Sequence, residues 1–523
     1  MMPFLAITEY SPWECLAAAA AAVVALQLLR AVYMLYFHPL SRFPGPRSAA
    51  ISRSWQAKLV KKGFPEKEYE RLHKQFGKQS PDSFSWMLID MSQGTQSLRV
   101  GPNHLHISDP SLYKVIYNQT NSFPKEKAFY DSFQSDHTTF SETDIQMHKQ
   151  RRKLLSPLFS KAGVTKLEPL ILEKMEETKE KVKRKRIDFL DDKSRTYIGA
   201  NVNRPRSMTI DIISEFSFGS CMNAINEDRD TFTSQYFKAM ELASDLPFLR
   251  YFSIMQRLLR KYVPLSVAAN FNPVLRQTEK MVQIIIDSYD TYAQRKTDSR
   301  FPVLFDNLQS VHPDLQKAEA INTFVAGSDT TAFTLVTALY HILRSPEVEK
   351  KLIESLDKVF KESEAAPSLI QLEQTKYLRA CVNEALRLAM SVPGMLPRVV
   401  PRRSQPFVVD GKVVPPGTIV GMSAYTMNTN PQIWGQDAHS FNPDRWLGPN
   451  AKELETQLCT FSKGTRQCIG INIAYAEATI ALAHFFYNFK MELKTKDLRI
   501  VDKFTIDVHE PGLLVDFKLR EHS

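Results

Sequence analysis

The stretch Phe461-Ser-Lys-Gly464-Thr-Arg466-Gln-Cys468-Ile-Gly470 runs straight into the apolar segment Ile471 to Phe486, so a single cysteine sits in a loop just ahead of a helix. A thiolate at neutral pH needs a cation, a helix N-terminus or a metal beside it, and this arrangement admits all three. Gly464 and Gly470 permit positive φ and the close approach of a flat ligand. Phe461 is placed to cover one side of the sulfur, and Arg466 to meet an acidic ligand group. A lone cysteine before a helix is ordinarily a buried structural thiol. The whole pattern is less ordinary: five fixed residues in ten positions arise by chance in on the order of one chain in ten thousand.

At every fixed position the stretch resembles the haem-binding signature of the cytochrome P450 family, Phe-x-x-Gly-x-Arg-x-Cys-x-Gly. That resemblance implies that Cys468 is the axial thiolate on haem iron, with Phe461, Gly464, Arg466 and Gly470 around the cofactor. Thiolate donation favours O–O cleavage.

Three further motifs follow the family's order. Lys317 to Ser345 is a helical pattern interrupted by Ala326-Gly327-Ser328-Asp329-Thr330-Thr331. A mid-helix glycine costs about 1 kcal/mol relative to alanine, so Gly327 should have a reason, such as room for a ligand against the backbone. The motif is similar to the family's Ala/Gly-Gly-x-Asp/Glu-Thr-Thr, which implies that Thr330 handles dioxygen or its water network and that Asp329 feeds protons inward. Glu384-Ala-Leu-Arg387 and Phe441-Asn-Pro-Asp-Arg445-Trp446 resemble the pair of motifs from which the family builds a Glu384–Arg387–Arg445 lock on the cysteine loop. His148 and Arg152, at i and i+4 of a basic helix face, and Arg398 after a Pro/Gly-punctuated stretch match positions that hold haem propionates. Asn428 stands where the family usually has histidine, a structural change that should be tolerated.

The N-terminal third decides location. Trp13 to Phe37 is apolar apart from Glu14 and Arg30, and at about 1.5 Å per residue it spans a roughly 30 Å hydrocarbon core. Glu9 and Glu14 precede it where a signal peptide would carry a basic region. Arg30, Arg42, Arg47 and Arg53 follow or close it, which puts the domain on the cytosolic side and leaves the sequon at Asn118 unused. The expected division is an N-terminal region 1–37 with the anchor, a proline-rich hinge 38–47 and a catalytic domain 48–523. Prolines 39, 44 and 46 suggest that the hinge is extended and stiff. Trp55 to Phe76 reads as helix, and Leu98 to Ile107 as one strand. Between them, 78–96 holds roughly fifteen more residues than the family uses, either a surface insertion or a gene-model artefact. Glu173 to Arg186 reads as an exposed helix laced with i,i+4 charge pairs rather than a nucleic-acid patch. Leu246 to Val263 is basic and apolar together, which fits a segment that dips into a membrane surface or a plain core helix; the resemblance, whose substrate-access loops contact lipid here, favours the membrane.

Composition is globular, with 43% hydrophobic and 24% charged residues over 523 positions, and a formal charge of +10 that favours acidic partners or anionic membrane surfaces. Five cysteines without a C-x-x-C pair argue against a disulfide framework or structural zinc. No Gly-x-Gly-x-x-Gly, Walker or His-Glu-x-x-His pattern occurs, so electrons should come from NADPH through a separate NADPH-cytochrome P450 reductase on the same membrane. The resulting expectation is a mainly α fold with small β-sheets, the cytochrome P450 fold, behind a single N-terminal transmembrane helix. It describes a monomeric, single-pass endoplasmic reticulum protein facing the cytosol, without nucleic-acid partners. With haem and O2 it would hydroxylate or epoxidise a hydrophobic small molecule. The hinge resembles that of fungal enzymes of secondary metabolism, terpenoid or polyketide-type and mycotoxin pathways included, and the trichodiene oxygenase group more than sterol demethylases. An isomerase or dehydratase that does not activate oxygen, or a non-enzymatic haem-binding protein, are the alternatives; the intact Asp329-Thr330 pair argues against both.

Overall fold

The computed structural model describes residues 11–77, 94–133, 137–190, 203–228, 234–236, 239, 262–263, 265–294, 299–363, 366–509 and 512–521. The first helix, α1 (Pro12–Val32), opens with a capping box: Ser11 accepts from the Glu14 N–H while Glu14 accepts from the Ser11 N–H. No α1 side chain is buried. With the π-helical turn Tyr33–Phe37 it forms a 26-residue, mainly apolar stretch, long enough to cross a membrane. The hinge is not extended. His38 and Leu40 carbonyls accept from Ser41 and Phe43 N–H groups, and these turns drive Leu40 (0% exposed) and Phe43 (3%) into the core. Arg99 ties the anchor down: one guanidinium nitrogen donates to the Met34 carbonyl at 2.8 Å and another to the Pro102 carbonyl at 2.7 Å.

The region expected as one helix is broken at Gly63, whose φ is +103°, and resumes as α2 (Pro65–Gly77). The expected single strand is a hairpin, β1 (Ser97–Gly101) and β2 (His104–Ile107), because Pro102-Asn103 turns the chain. Most of the supposed insertion, 78–93, lies outside the described residues, but its two ends meet. Thr95 N–H donates to the His73 carbonyl at 3.1 Å, and His73 Nδ1 lies 2.6 Å from the Thr95 carbonyl.

Helices then carry the chain: α3 (Lys127–Asp131), α4 (Ile145–Leu155), α5 (Glu168–Leu190), α6 (Asn203–Phe218), the 31-residue α7 (Pro313–Leu343) and α8 (Lys376–Ala389). The charge run on α5 is less exposed than its composition suggests. Lys174 and Lys181 are buried; Lys174 pairs with Glu177 and Glu215, and Lys181 donates to the Asp228 carbonyl at 2.7 Å. The surface pairs sit at i,i+3. Strands β3 (Arg398–Val399) and β4 (Ile419–Gly421) complete a sheet of order β1-β2-β4-β3, and α9 (Ile471–Asn488) follows the cysteine loop. A last hairpin joins β5 (Ile500–Asp502) to β6 (Ile506–Val508). The fold is mainly α with small sheets, as expected. The segment expected to dip into a membrane surface, Leu246 to Val263, falls almost wholly outside the described residues.

The central helices α7 and α9 pack together around a buried acid. Glu477 on α9 is 3% exposed; burial pushes its carboxyl up to about 8, while a hydrogen bond with Thr331 on α7 pulls the other way. Between the ordinary carboxylate range and about pH 8 the folded protein holds a proton that the unfolded chain releases. Stability therefore falls as pH rises through that window, by about 1.4 kcal/mol per unit at most. Urea-unfolding midpoints should show this decline in the wild type and a flatter profile in Glu477→Gln.

Candidate active site

The cysteine loop is held from below by charges that have no access to water. Glu384 and Arg387 on α8 are both 0% exposed. Arg387 donates to Glu384 through two nitrogens, at 2.8 and 2.7 Å, and to the carbonyls of Asn428 at 2.7 Å and Ser440 at 2.9 Å. Arg445 Nε and Trp446 Nε1 donate to the same carboxylate at 3.1 and 2.9 Å. Removing one partner of such a group costs about 3–5 kcal/mol, because the other charge stays buried. Asn428 carries the constraint onward. Its amide donates to the Arg387 carbonyl at 3.2 Å and the Thr460 hydroxyl at 2.8 Å, and its carbonyl accepts the Cys459 N–H at 3.0 Å. The residue that departs from the family pattern is thus the link between lock and loop.

Within the loop, Ser462 and Gly464 take positive φ, +56° and +76°. A Cβ on Gly464 would collide with the carbonyls of Tyr117 and Asn118. The Phe461 carbonyl accepts the Cys468 N–H at 2.9 Å, which closes the loop and turns the sulfur out of it; the Phe461 ring packs 5.8 Å from Tyr475. Cys468 is exposed, yet burial pushes its thiol up, against the Gly470 N–H and Arg152. Exposure together with desolvation describes a sulfur facing an internal space. Gly470, expected to take positive φ, has φ −81°, and a Cβ there would make only ordinary contact with that sulfur at 3.8 Å. Burial therefore opposes a thiolate here, and the Gly470 N–H and Arg152 act in its favour.

Around the same space the basic side chains expected from sequence converge. Arg152 donates to the Gln467 carbonyl at 2.6 Å, Arg466 to the Glu142 carbonyl at 2.8 Å, and Arg398 to the Tyr130 hydroxyl at 2.7 Å. His148 is 4% exposed and is pushed down to about 3 by burial and by Arg466, Lys125 and Arg152. Burial and Arg398 hold Arg466 down at about 10. Lys125, which sequence reasoning missed, belongs to the set. It is 8% exposed, donates to the Phe140 carbonyl, and is pushed well down by burial, Arg398 and Arg466. Its only sequence signal is a lysine just ahead of a short helix.

On α7, Ala326 is exposed and Thr330 half-buried in the middle of a packed helix, so this turn also borders an internal space. Thr330 Oγ1 donates to the Ala326 carbonyl at 2.9 Å. Gly327 has a different reason from the one expected. Its Cβ would lie 2.6 Å from Ile213 on α6, so the glycine serves helix packing rather than ligand approach. Asp329 is not free: its Oδ1 lies 2.7 Å from Arg206 Nε. Burial raises its carboxyl, Arg206 lowers it and Asp507 raises it.

These residues fit a haem. Among the described residues no three His, Cys, Asp or Glu side chains cluster to hold a metal, so a metal at Cys468 must bring its other ligands with it. Lys125, Arg152, Arg398 and Arg466 repel one another as placed, a cost that the two propionates of the cofactor would offset. Comparison with known proteins agrees. A family model described as Cytochrome P450 matches residues 73–517. The cytochrome P450 monooxygenase macH of Penicillium terrestre is 29% identical over 94% of each chain. The cytochrome P450 monooxygenase sol6 of Alternaria solani is 31% identical over 86% of this chain and 93% of its own, and hkm5 of Aspergillus hancockii 30% identical over 88% and 87%.

Asn428→Ala removes three buried hydrogen bonds between lock and loop. It should cost about 2–4 kcal/mol, seen as a lower urea midpoint and as faster decay of the cysteine-ligated haem spectrum on warming.

Proposed function

The chain belongs to the cytochrome P450 family, and from that premise we propose that Cys468 binds the haem iron, with Arg152, Arg398, Arg466, His148 and Lys125 around the propionates. The protein is a monooxygenase, an oxidoreductase that uses haem and O2. The observation that carries the reading of the site is the exposed, desolvated sulfur ringed by mutually repelling cations. When bound, the haem supplies the redox chemistry that splits O2 and delivers one oxygen atom to the substrate. The chain's own residues have narrower tasks. The Glu384–Arg387–Asn428 chain keeps the sulfur in place, and the Gly470 N–H hydrogen-bonds it. Asp329, whose carboxyl burial raises against Arg206, lies in the helix turn that carries the Thr330 hydroxyl, and Thr330 presents that hydroxyl to the internal space beside Ala326.

The substrate we propose is a hydrophobic small molecule, hydroxylated or epoxidised in fungal secondary metabolism; terpenoid and polyketide skeletons fit that class. Electrons would come from NADPH through a flavoprotein reductase, which the net positive charge suits. The helix Pro12–Phe37 would anchor a monomer in the endoplasmic reticulum membrane with its domain in the cytosol.

Microsomes carrying the chain, reduced under carbon monoxide, should show the thiolate-type Soret band, and Cys468→Ala should lose it. A variant that kept the band would refute the ligand. Conversion of a fungal metabolite extract should need both NADPH and reductase; conversion without either would make the chain an isomerase or dehydratase.

A further inference from the structure

Two neighbouring residues of α7, Asp329 and Thr330, are each joined through a single intermediary to two neighbouring residues of β6. Arg206 on α6 lies 2.7 Å from Asp329 Oδ1 and donates to Asp507 Oδ1 at 3.0 Å. Ser391, just past α8, donates its hydroxyl to the Thr330 carbonyl at 2.7 Å, while its own carbonyl accepts the Ile506 N–H at 2.9 Å. Ile506 is buried against Phe333 and Ala389, so the hairpin is seated on α7 rather than hanging beside it.

The other end of the hairpin faces a different neighbourhood. Phe504, at its tip, has φ +88°, a strained conformation for a phenylalanine. That backbone puts its ring 4.5 Å from Phe133 and 5.8 Å from Phe140, and 6.3 Å from Phe129 on α3. The strain is spent on driving one aromatic ring into a wall built by another part of the chain. Three residues along, the same hairpin carries Asp507.

We propose that the hairpin Ile500–Val508 is a positioning element for the acid–alcohol pair, coupling the aromatic wall at Phe504 to Asp329 and Thr330 through the positioning residues Arg206 and Ser391. One guanidinium is shared by two carboxylates. When the hairpin is seated, Asp507 draws on Arg206 and adds its own negative field at Asp329; when the tip is displaced from the wall, both effects at Asp329 weaken. The charged and titratable groups facing Asp329 are Arg206, Asp507 and Tyr236, with Lys503 3.4 Å from Asp507 on the far side. Seating the hairpin therefore favours the protonated acid, and withdrawing it favours the carboxylate.

The inference rests on the haem-thiolate reading above and is tested on full-length, haem-loaded protein in lipid nanodiscs. The probe is carbon monoxide on the reduced protein, and the readout is its infrared stretch against pH, which senses charge in the distal space without turnover. Wild type should show a transition that Asp329→Asn abolishes. Asp507→Asn should move the midpoint down by about half a pH unit, and Arg206→Gln should move it up by about one. Arg206→Lys should keep it near wild type, and Phe504→Ala should move it down with Asp507→Asn. Midpoints unchanged in Asp507→Asn and Phe504→Ala, or no transition in wild type, would overturn the coupling. Loss of the thiolate-type Soret band in wild type would instead sink the haem-thiolate reading, so the two failures are distinguishable.

Discussion

A carboxylate and a guanidinium at 0% exposure have no water to share their charge, and everything within reach must complete them. Glu384 takes two bonds from Arg387, one from Arg445, one from Trp446 and the Asn442 N–H. Arg387 gives its remaining hydrogens to carbonyls of Asn428, Ala438 and Ser440. Such a pair is weak evidence for stability in itself. What it fixes is geometry: each carbonyl it captures belongs to the meander between β4 and the cysteine loop, so the meander cannot shift without orphaning a buried charge. Asn428 then hands that rigidity to Cys459 and Thr460, nine and eight residues ahead of the sulfur. A metal ligand that must stay in one redox environment needs a support of this kind.

The opposite economy rules the space the sulfur faces. There basic side chains gather, and burial first, with their mutual repulsion second, lowers the proton affinities of His148, Lys125 and Arg466. Backbone carbonyls of Gln467, Glu142, Leu396 and Phe140 satisfy part of the hydrogen-bonding demand without neutralising any charge. A polypeptide would not gather these groups for its own stability, which is why the donor set points to an anionic cofactor.

The parts legible in sequence were those written in contiguous residues or fixed short spacings: the loop from Phe461 to Gly470, the Glu384-x-x-Arg387 helix, the turn from Ala326 to Thr331, and the apolar run at the N-terminus. Each is local, so its pattern survives without knowing what packs against it. Lys125, Arg206 and Ser391 were invisible because they act as bridges. Lys125 is defined by Arg398 and Arg466 far along the chain, Arg206 by two carboxylates on different elements, and Ser391 by a carbonyl and an N–H. None carries a local signature. The role of Gly327 was misread for the same reason: a mid-helix glycine announces close approach but does not name the visitor, which is Ile213. The hinge turned out folded because Leu40 and Phe43 gain more from burial than prolines gain from extension.

The turn of α7 shows how far packing narrows what such a motif can do. Gly327 meets Ile213, the Ser328 carbonyl accepts from Thr209, Asp329 pairs with Arg206, the Thr330 carbonyl accepts from Ser391, and Thr331 bonds Glu477. Three of these partners lie on α6, one at the end of α8 and one on α9, so the turn is tied to three elements while its Ala326 side stays open. A turn tied in this way acts through the charge and hydrogen-bond state of groups already in place. Thr330 alone leaves its side chain beside the exposed Ala326. The electrostatic setting of Asp329 is therefore fixed by residues on neighbouring elements, Arg206 on α6 and Asp507 on β6, rather than by α7 alone.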